Sequence, residues 1–477
     1  MLPKNPLPYL IFIAATLQAW AFGNPDSRPN VLFIAIDDLR PTLGSYGDPL
    51  AVSPNIDALA ESSSLFTRAY CNIPVCGASR ASLMGGMRPG YNRYFQYFTW
   101  LEKETPEAVP LNMHFKGHGY TTLSVGKIYH HIQDSAAGWD RFYDSIGESG
   151  WRDYVKGDNV RLITEGTGLG PAYEKADVPD IAYRDGRLAQ KAVIELEHLA
   201  RTGEPFFLAL GFLKPHLPFN APQKYWDMID PDDIDLPPAG FRPSNVPQNA
   251  FHQSGELRGY DGIPPEGPVS DELARTLIHG YYACVSYTDA QVGLVLRALE
   301  ELGLAENTII VLWGDHGYNL REHGLWCKHC NFETSLHVPL LIRAPGIAPA
   351  RVEGISELVD LYPTLCELVG LPKPSHLEGQ SLVPMMKDPS LPGDGIAVSR
   401  WTNAYTVIED DLFYTEWMNE DQYVWARMLF DHSKDPEEMN NLAELPEFQS
   451  EVERLGQLLR ENRGALFFKE RAAASTN

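Results

Sequence analysis

The stretch Cys71-Asn-Ile-Pro-Val-Cys76-Gly-Ala-Ser-Arg80-Ala-Ser-Leu-Met-Gly-Gly86 organises the reading of the chain. An apolar Pro74-Val75 leads into Cys76, small residues follow, and Arg80 stands four positions on. If residues 77–83 open a helix, Cys76 lies at its N-terminal end. Backbone N–H groups and the positive end of the helix dipole then make an anion site there. Residues four apart share a helix face, so Arg80 points toward Cys76. A planar guanidinium matches a tetrahedral oxyanion such as sulfate or phosphate. A core cysteine beside a surface arginine fits the same letters, so the rest of the chain must decide.

Outward from this stretch, the chain alternates apolar runs and amphipathic segments, the pattern of an α/β fold. Val31-Leu-Phe-Ile-Ala-Ile36 is continuous and β-branched, as in a strand buried on both faces. Residues 121–125, 205–210, 308–313 and 337–342 read as further strands. Residues 55–65, 111–116, 182–200, 273–302 and 358–369 read as helices, and 448–463 as a last amphipathic one. Residues 131–175 and the Pro-rich 218–269 read as loops, the latter long enough to carry function. Alternating aromatic segments at 396–407, 411–417 and 423–430 predict an antiparallel sheet. Residues 472–477 read as a disordered tail.

Four predicted strands each end in a polar cluster: Asp37/Asp38, Lys127/His130, Lys214/His216 and Asp315/His316. In open α/β sheets the ligand crevice lies beyond the carboxyl ends of the strands. Two clusters are rich in carboxylate and two pair Lys with His, which describes a metal next to an anion pocket.

The segment Cys76-x-Ala78-Ser79-Arg80 resembles the C-x-[P/A]-x-R signature of type I sulfatases. The resemblance recurs at Ile36-Asp-Asp38, Ser124-Val-Gly-Lys-Ile-Tyr-His130, Lys214-Pro-His-Leu-Pro218, Gly314-Asp-His-Gly317 and Glu322-His-Gly-Leu-Trp-Cys-Lys328. It covers roughly residues 30–345, and its wording is closest to the iduronate-2-sulfatase branch. It implies an alkaline-phosphatase-like α/β fold, with a large mixed, mostly parallel sheet between helices and a small C-terminal α/β subdomain with an antiparallel sheet. The expected divisions are a signal peptide at 1–21, a catalytic domain at 28–389 and a subdomain at 390–477.

The resemblance also implies roles. Cys76 becomes Cα-formylglycine, made by a formylglycine-generating or an anaerobic sulfatase-maturating enzyme. Ca²⁺ is held by Asp37, Asp38, residue 76, Asp315 and His316, where many relatives have Asn at the last position. Arg80, Lys127, Lys214 and Lys328 hold the sulfate oxygens. His130 steadies one hydroxyl of the hydrated aldehyde, and His216 protonates the departing alcohol. The chain departs from the family after Leu83: Met84-Gly-Gly-Met87 lacks the usual Thr and Arg that aid maturation.

The expected substrate is a sulfated saccharide, either a uronate 2-O-sulfate of the iduronate type or a fragment of a sulfated algal polysaccharide. Sugar selectivity is expected from Tyr91-Asn-Arg-Tyr-Phe-Gln-Tyr-Phe98, from 218–269 and from Arg400-Trp401. Arg93 and Arg400 are the candidates to pair with a uronate carboxylate, and Tyr94 and Trp401 to stack on a sugar face. A phosphatase or phosphodiesterase of the same superfamily is the first rival. It would carry Ser or Thr as nucleophile and two metals. A non-catalytic sugar-binding relative is the second.

Composition sets outer limits. The 477 residues carry a formal net charge of −24, which argues against a nucleic-acid or anionic-membrane partner and requires a local basic pocket for an anionic substrate. Lys4, the apolar Tyr9-Leu-Ile-Phe-Ile-Ala-Ala-Thr-Leu17 and Ala19-Trp-Ala21 form a signal-peptide pattern with cleavage after Ala21, hence export to periplasm or medium. With Cys76 modified, five cysteines remain, and Cys327-Lys-His-Cys330 reads as a disulfide or as two free thiols.

Overall fold

The computed structural model describes residues 28–462, except positions 91, 146, 148, 149, 167, 239, 240, 420 and 422. The predicted signal peptide and the 472–477 tail lie outside the described residues.

The apolar runs become the middle of the molecule. Asn30–Ile36, Phe206–Phe212 and Thr308–Gly314 are strands buried along their whole length. Side chains alternate across a strand, so each run feeds two cores. Val31, Phe33, Phe207, Val311 and Trp313 face the helix Cys76–Gly85 and the core shared with the C-terminal sheet. Leu32, Ile34, Leu208, Leu210 and Leu312 face the opposite core, built with the helices Arg184–Thr202 and Asp271–Glu301.

The large sheet runs in the order Ala350–Val352, Ser64–Tyr70, His337–Arg343, Thr308–Gly314, Asn30–Ile36, Phe206–Phe212, Thr121–Gly126, Arg141–Tyr143, with Ser356–Glu357 also on Ser64–Tyr70. His337–Arg343 is antiparallel to both neighbours, and the other pairings are parallel. Thr308–Gly314, Asn30–Ile36, Phe206–Phe212 and Thr121–Gly126 are consecutive and parallel. Their four polar clusters therefore leave the sheet on one edge, side by side.

The C-terminal strands Ile396–Trp401, Ala404–Glu409, Leu412–Met418 and Val424–Asp431 form an antiparallel meander. Val407, Tyr414 and Leu429 on one face pack under Leu455 and Leu459 of the helix Gln449–Asn462. Ala397, Ile408, Phe413 and Phe430 on the other face join the main core. Among the described residues no helix is long and apolar enough to cross a membrane.

Three readings of the sequence need correction. The helix expected over 55–65 ends at Glu61, and Ser64–Tyr70 is a strand instead. Ser63 Oγ donates to the Leu59 carbonyl and closes the helix, and the aromatic and β-branched run that follows suits a sheet. The segment 396–407 is two strands, because Thr402 turns the chain with φ 52°. The expected loops at 131–175 and 218–269 contain the helix Gly157–Thr164 and the strand pair Tyr173–Ala176 with Phe219–Pro222.

One close approach couples fold to site. A Cβ on Gly211 would lie 2.0 Å from the Lys127 carbonyl oxygen. That oxygen also accepts a hydrogen bond from the Arg80 guanidinium. Gly211→Ala should therefore cost about 1–3 kcal/mol through overpacking, read as a lower urea midpoint at unchanged m-value. An unchanged midpoint would show that the two strand ends have room to part.

Candidate active site

Helix Cys76–Gly85 begins at Cys76, one residue earlier than residues 77–83 predict, and all ten of its residues are buried. Its small residues allow this. A Cβ on Gly77 would fall 1.8 Å from the Tyr97 carbonyl oxygen, so segment 95–98 lies directly on the helix start. Ser79 Oγ donates to the Asp315 carbonyl at 2.5 Å, which holds the helix against the strand end.

Arg80 does share a face with Cys76, but it serves carboxylates. Its Nη2 is 3.1 Å from Asp37 and its Nε 2.8 Å from Asp315, with none of the three side chains exposed. Its Nη1 donates to the carbonyls of Lys127 and Ile128. Every nitrogen of the guanidinium is thus engaged, and Arg80 holds the carboxylates rather than sulfate oxygens. Three buried carboxylates at adjacent strand ends demand such a counter-charge.

Asp37, Asp38, Cys76 and His316 offer ligand atoms that all lie within 4.8 Å of one another. His316 Nδ1 is 2.9 Å from the Gly317 carbonyl, which places its proton there and turns the Nε2 lone pair to the cluster. That Nε2 is 3.2 Å from Cys76 Sγ and 3.4 Å from Asp38. Asp315 stands slightly apart: one oxygen accepts the N–H groups of Asp38 and His316, and the other accepts Arg80. Two carboxylates, an unprotonated imidazole and residue 76 suit a divalent cation, with Asp315 bracing two of them.

Charge supports the same conclusion. Lys127 Nζ is 2.5 Å from Asp37, and Lys328 Nζ is 3.0 Å from Asp38. Burial alone would raise the Asp37 carboxyl, but Lys127 and Arg80 outweigh it and hold that group well below the usual carboxylate range. Asp37, Asp38, Asp315 and Glu256 face the permanent cations Arg80, Lys127 and Lys328. Such a pocket attracts an anion only after a cation is added.

The two histidines flank this cluster. His130 is half-buried. Burial, with Lys127 second, lowers its pKa to about 3, so the ring is neutral. Its Nδ1 is buried and takes no hydrogen bond among the described residues. His216 is buried, with Nδ1 2.6 Å from the Leu217 carbonyl and Nε2 3.2 Å from Glu256. Two exposed aromatic rings stand edge-on to them: Tyr97 at 5.8 Å from His130 and Trp151 at 5.6 Å from His216.

Four expectations fail here. Lys214 donates to the carbonyls of His216 and Pro218, so it clamps the loop that presents His216 and leaves sulfate to others. Arg93 pairs with Glu378 at 2.5 Å and donates to the Arg88 carbonyl. Arg400 donates to the carbonyls of Thr402 and Gly90 and lies over the rings of Phe95 and Tyr405. Both arginines are buried, and buried guanidinium must meet acceptors nearby. Tyr94 is fully buried and cannot stack on a sugar. Trp401 stacks on His329 at 4.9 Å, beside Lys328. Cys327 and Cys330 are free buried thiols. Glu256 went unseen in sequence: a single acidic residue in an irregular stretch has no signal.

Arg80→Leu should cost about 3–5 kcal/mol in chelator-treated protein, because it strands Asp37 and Asp315 in the interior. Urea unfolding measures it. A loss under about 1 kcal/mol would mean that these carboxylates relax to water.

A sulfatase family model matches residues 29–371. Mouse iduronate 2-sulfatase is 35% identical over 75% of this chain and 72% of its own length. An ulvan-active sulfatase of Formosa agariphila is 29% identical over 89% of this chain and 79% of its own. A protein solved with its substrate D-glucosamine-2-N,6-O-disulfate superposes with a TM-score of 0.74 at 22% identity, covering 91% of this chain and 97% of that one.

Proposed function

The chain belongs to the sulfatase family and hydrolyses sulfuric esters of carbohydrates, and we propose that it acts after export, through a formylglycine made from Cys76, on a uronate 2-O-sulfate. The observation that carries this reading is Cys76 at the start of a buried helix, its Sγ in the Asp37, Asp38 and His316 cluster. As a thiol the group is a poor nucleophile: burial, with Asp37 next, pushes its pKa well above the ordinary value. Oxidised to the aldehyde, residue 76 would supply a hydrate oxygen to attack sulfur and a route for sulfate release. Ca²⁺ would be held by Asp37, Asp38, residue 76 and His316 and would neutralise sulfate charge.

The side chains divide the remaining work. Lys127 keeps its positive charge beside Asp37 and faces the sulfate from one side. Neutral His130, whose buried Nδ1 has no hydrogen-bond partner among the described residues, would accept one from a hydroxyl of the hydrated residue 76. On the other side, both ring nitrogens of His216 face acceptors, Nδ1 the Leu217 carbonyl and Nε2 the Glu256 carboxylate, so the ring serves as an imidazolium whose Nε2 proton goes to the leaving alcohol oxygen. Lys328 adds charge at the same point. Cys76 is 3% exposed, so a formylglycine-generating or anaerobic maturating enzyme must reach it before the chain folds.

Likeness to iduronate 2-sulfatase supports a uronate, and the ulvan-active relative supports an algal polysaccharide fragment. A uronate carboxylate needs a cation that is not already paired. Arg152 lies 4.7 Å over the Trp151 ring beside His216, and its Nε has no hydrogen-bond partner among the described residues. We assign carboxylate recognition to it.

Peptide mass should show residue 76 oxidised in active preparations, with about one calcium per chain. Cys76→Ala should abolish turnover at unchanged fold, and more than a few per cent residual activity would sink the assignment. Arg152→Ala should cost about 2–4 kcal/mol on the uronate sulfate, roughly thirty- to a thousand-fold in kcat/KM, and leave a small aryl sulfate nearly unchanged. Equal loss on both substrates would remove Arg152 from carboxylate recognition.

A further inference from the structure

The long segment after residue 218 sends one carboxylate into the site. Glu256 sits in the short helix Gly255–Arg258. Its Oε1 is 2.8 Å from Lys328 Nζ and 3.2 Å from His216 Nε2. Its Oε2 is buried without a hydrogen-bond partner among the described residues. The segment around it is fixed. Ser254 Oγ accepts the Trp326 N–H at 3.1 Å, and Leu257 is buried in the core. Glu256 is therefore held in place by its own backbone, and no other element is needed to carry it there.

One oxygen shared by two donors has a geometric consequence: Nζ and Nε2 converge on a common point. Each donor is anchored elsewhere as well, Lys328 on Asp38 and His216 on the Leu217 carbonyl. Without an acceptor between them, an ammonium and an imidazolium repel and drift apart. These are the donors that the departing alcohol needs. In the ground state the ester oxygen is a weak acceptor. As the S–O bond breaks, its electron pair goes to that oxygen, which then takes the proton from His216 Nε2 and the charge of Lys328.

We propose that Glu256 is a positioning residue for leaving-group departure: in the resting site its Oε1 holds Lys328 and His216 together, and the charged leaving oxygen takes over from it as their acceptor. The proposal rests on His216 as the acid. It also explains why the 218–269 insertion matters to chemistry rather than to sugar choice alone. Convergence prepared before reaction favours the transition state over the ground state.

The test uses a leaving-group series on the matured, metal-loaded enzyme: 4-nitrophenyl, phenyl and 4-methoxyphenyl sulfate. A nitrophenolate leaves without a proton, whereas the poorer groups need one. In Glu256→Ala and in His216→Ala the ratio of kcat/KM for nitrophenyl over phenyl sulfate should rise at least tenfold, with the loss in kcat. Glu256→Gln keeps an acceptor oxygen and the same volume, and should fall between. If His216→Ala raises the ratio and Glu256→Ala slows all three esters equally, the positioning role is overturned and the acid assignment stands. If neither variant changes the ratio, both are overturned. Should Glu256→Ala fail to fold, the Gln variant decides alone, and an unchanged ratio in it overturns the role.

Discussion

A single buried guanidinium sets the terms for this molecule. Arg80 binds Asp37 and Asp315 at once, each side chain removed from water. Those carboxylates end neighbouring parallel strands, so the pair of ion contacts fixes the helix Cys76–Gly85 across the edge of the sheet. A buried charge without its partner costs several kcal/mol, so the arrangement is all or nothing. The small residues between Cys76 and Gly85 follow from it. Only Gly, Ala and Ser let a helix press closely enough for a side chain to reach two strand ends. Cys76 then falls where it does because it is one turn before Arg80.

The same constraint explains why an acidic protein can serve an anionic substrate. The cations of the site are locked against carboxylates inside it. With four carboxylates against three permanent cations, the cluster becomes anion-attracting only when a divalent ion joins it. Metal and sulfate are then thermodynamically linked, each improving the site for the other.

What could be read from the letters was what lies on the sheet. Apolar runs such as Val31-Leu-Phe-Ile-Ala-Ile36 have one interpretation, and the polar residue after each run has one place to go. That Asp37, Asp38, Lys127, His130, His216, Asp315 and His316 gather at one sheet edge was legible for that reason. Arg93, Arg400 and Lys214 were not, because whether a cation faces solvent, substrate or a carbonyl depends on loops with no periodicity. Glu256 is the converse case: an ordinary residue that becomes part of the site only through the fold of its loop. Ser64–Tyr70 was missed because the helix before it ends at a serine side-chain bond rather than at Gly or Pro.

Chain order adds a last consequence. Cys76 and Arg80 are made early, whereas Asp315 lies 235 residues downstream of Arg80. Contacts of such separation close late, because chain entropy must be lost before they contribute. Until Thr308–Gly314 pairs with Asn30–Ile36, nothing buries the start of the helix against the carboxylates. The proposed oxidation of Cys76 therefore has a long interval in which the thiol is exposed on an incomplete chain. The same topology that makes the finished site inaccessible keeps the unfinished one open. Under the proposed maturation, a slow-closing, non-local fold would supply the time that a site lacking the usual Thr and Arg after Leu83 needs.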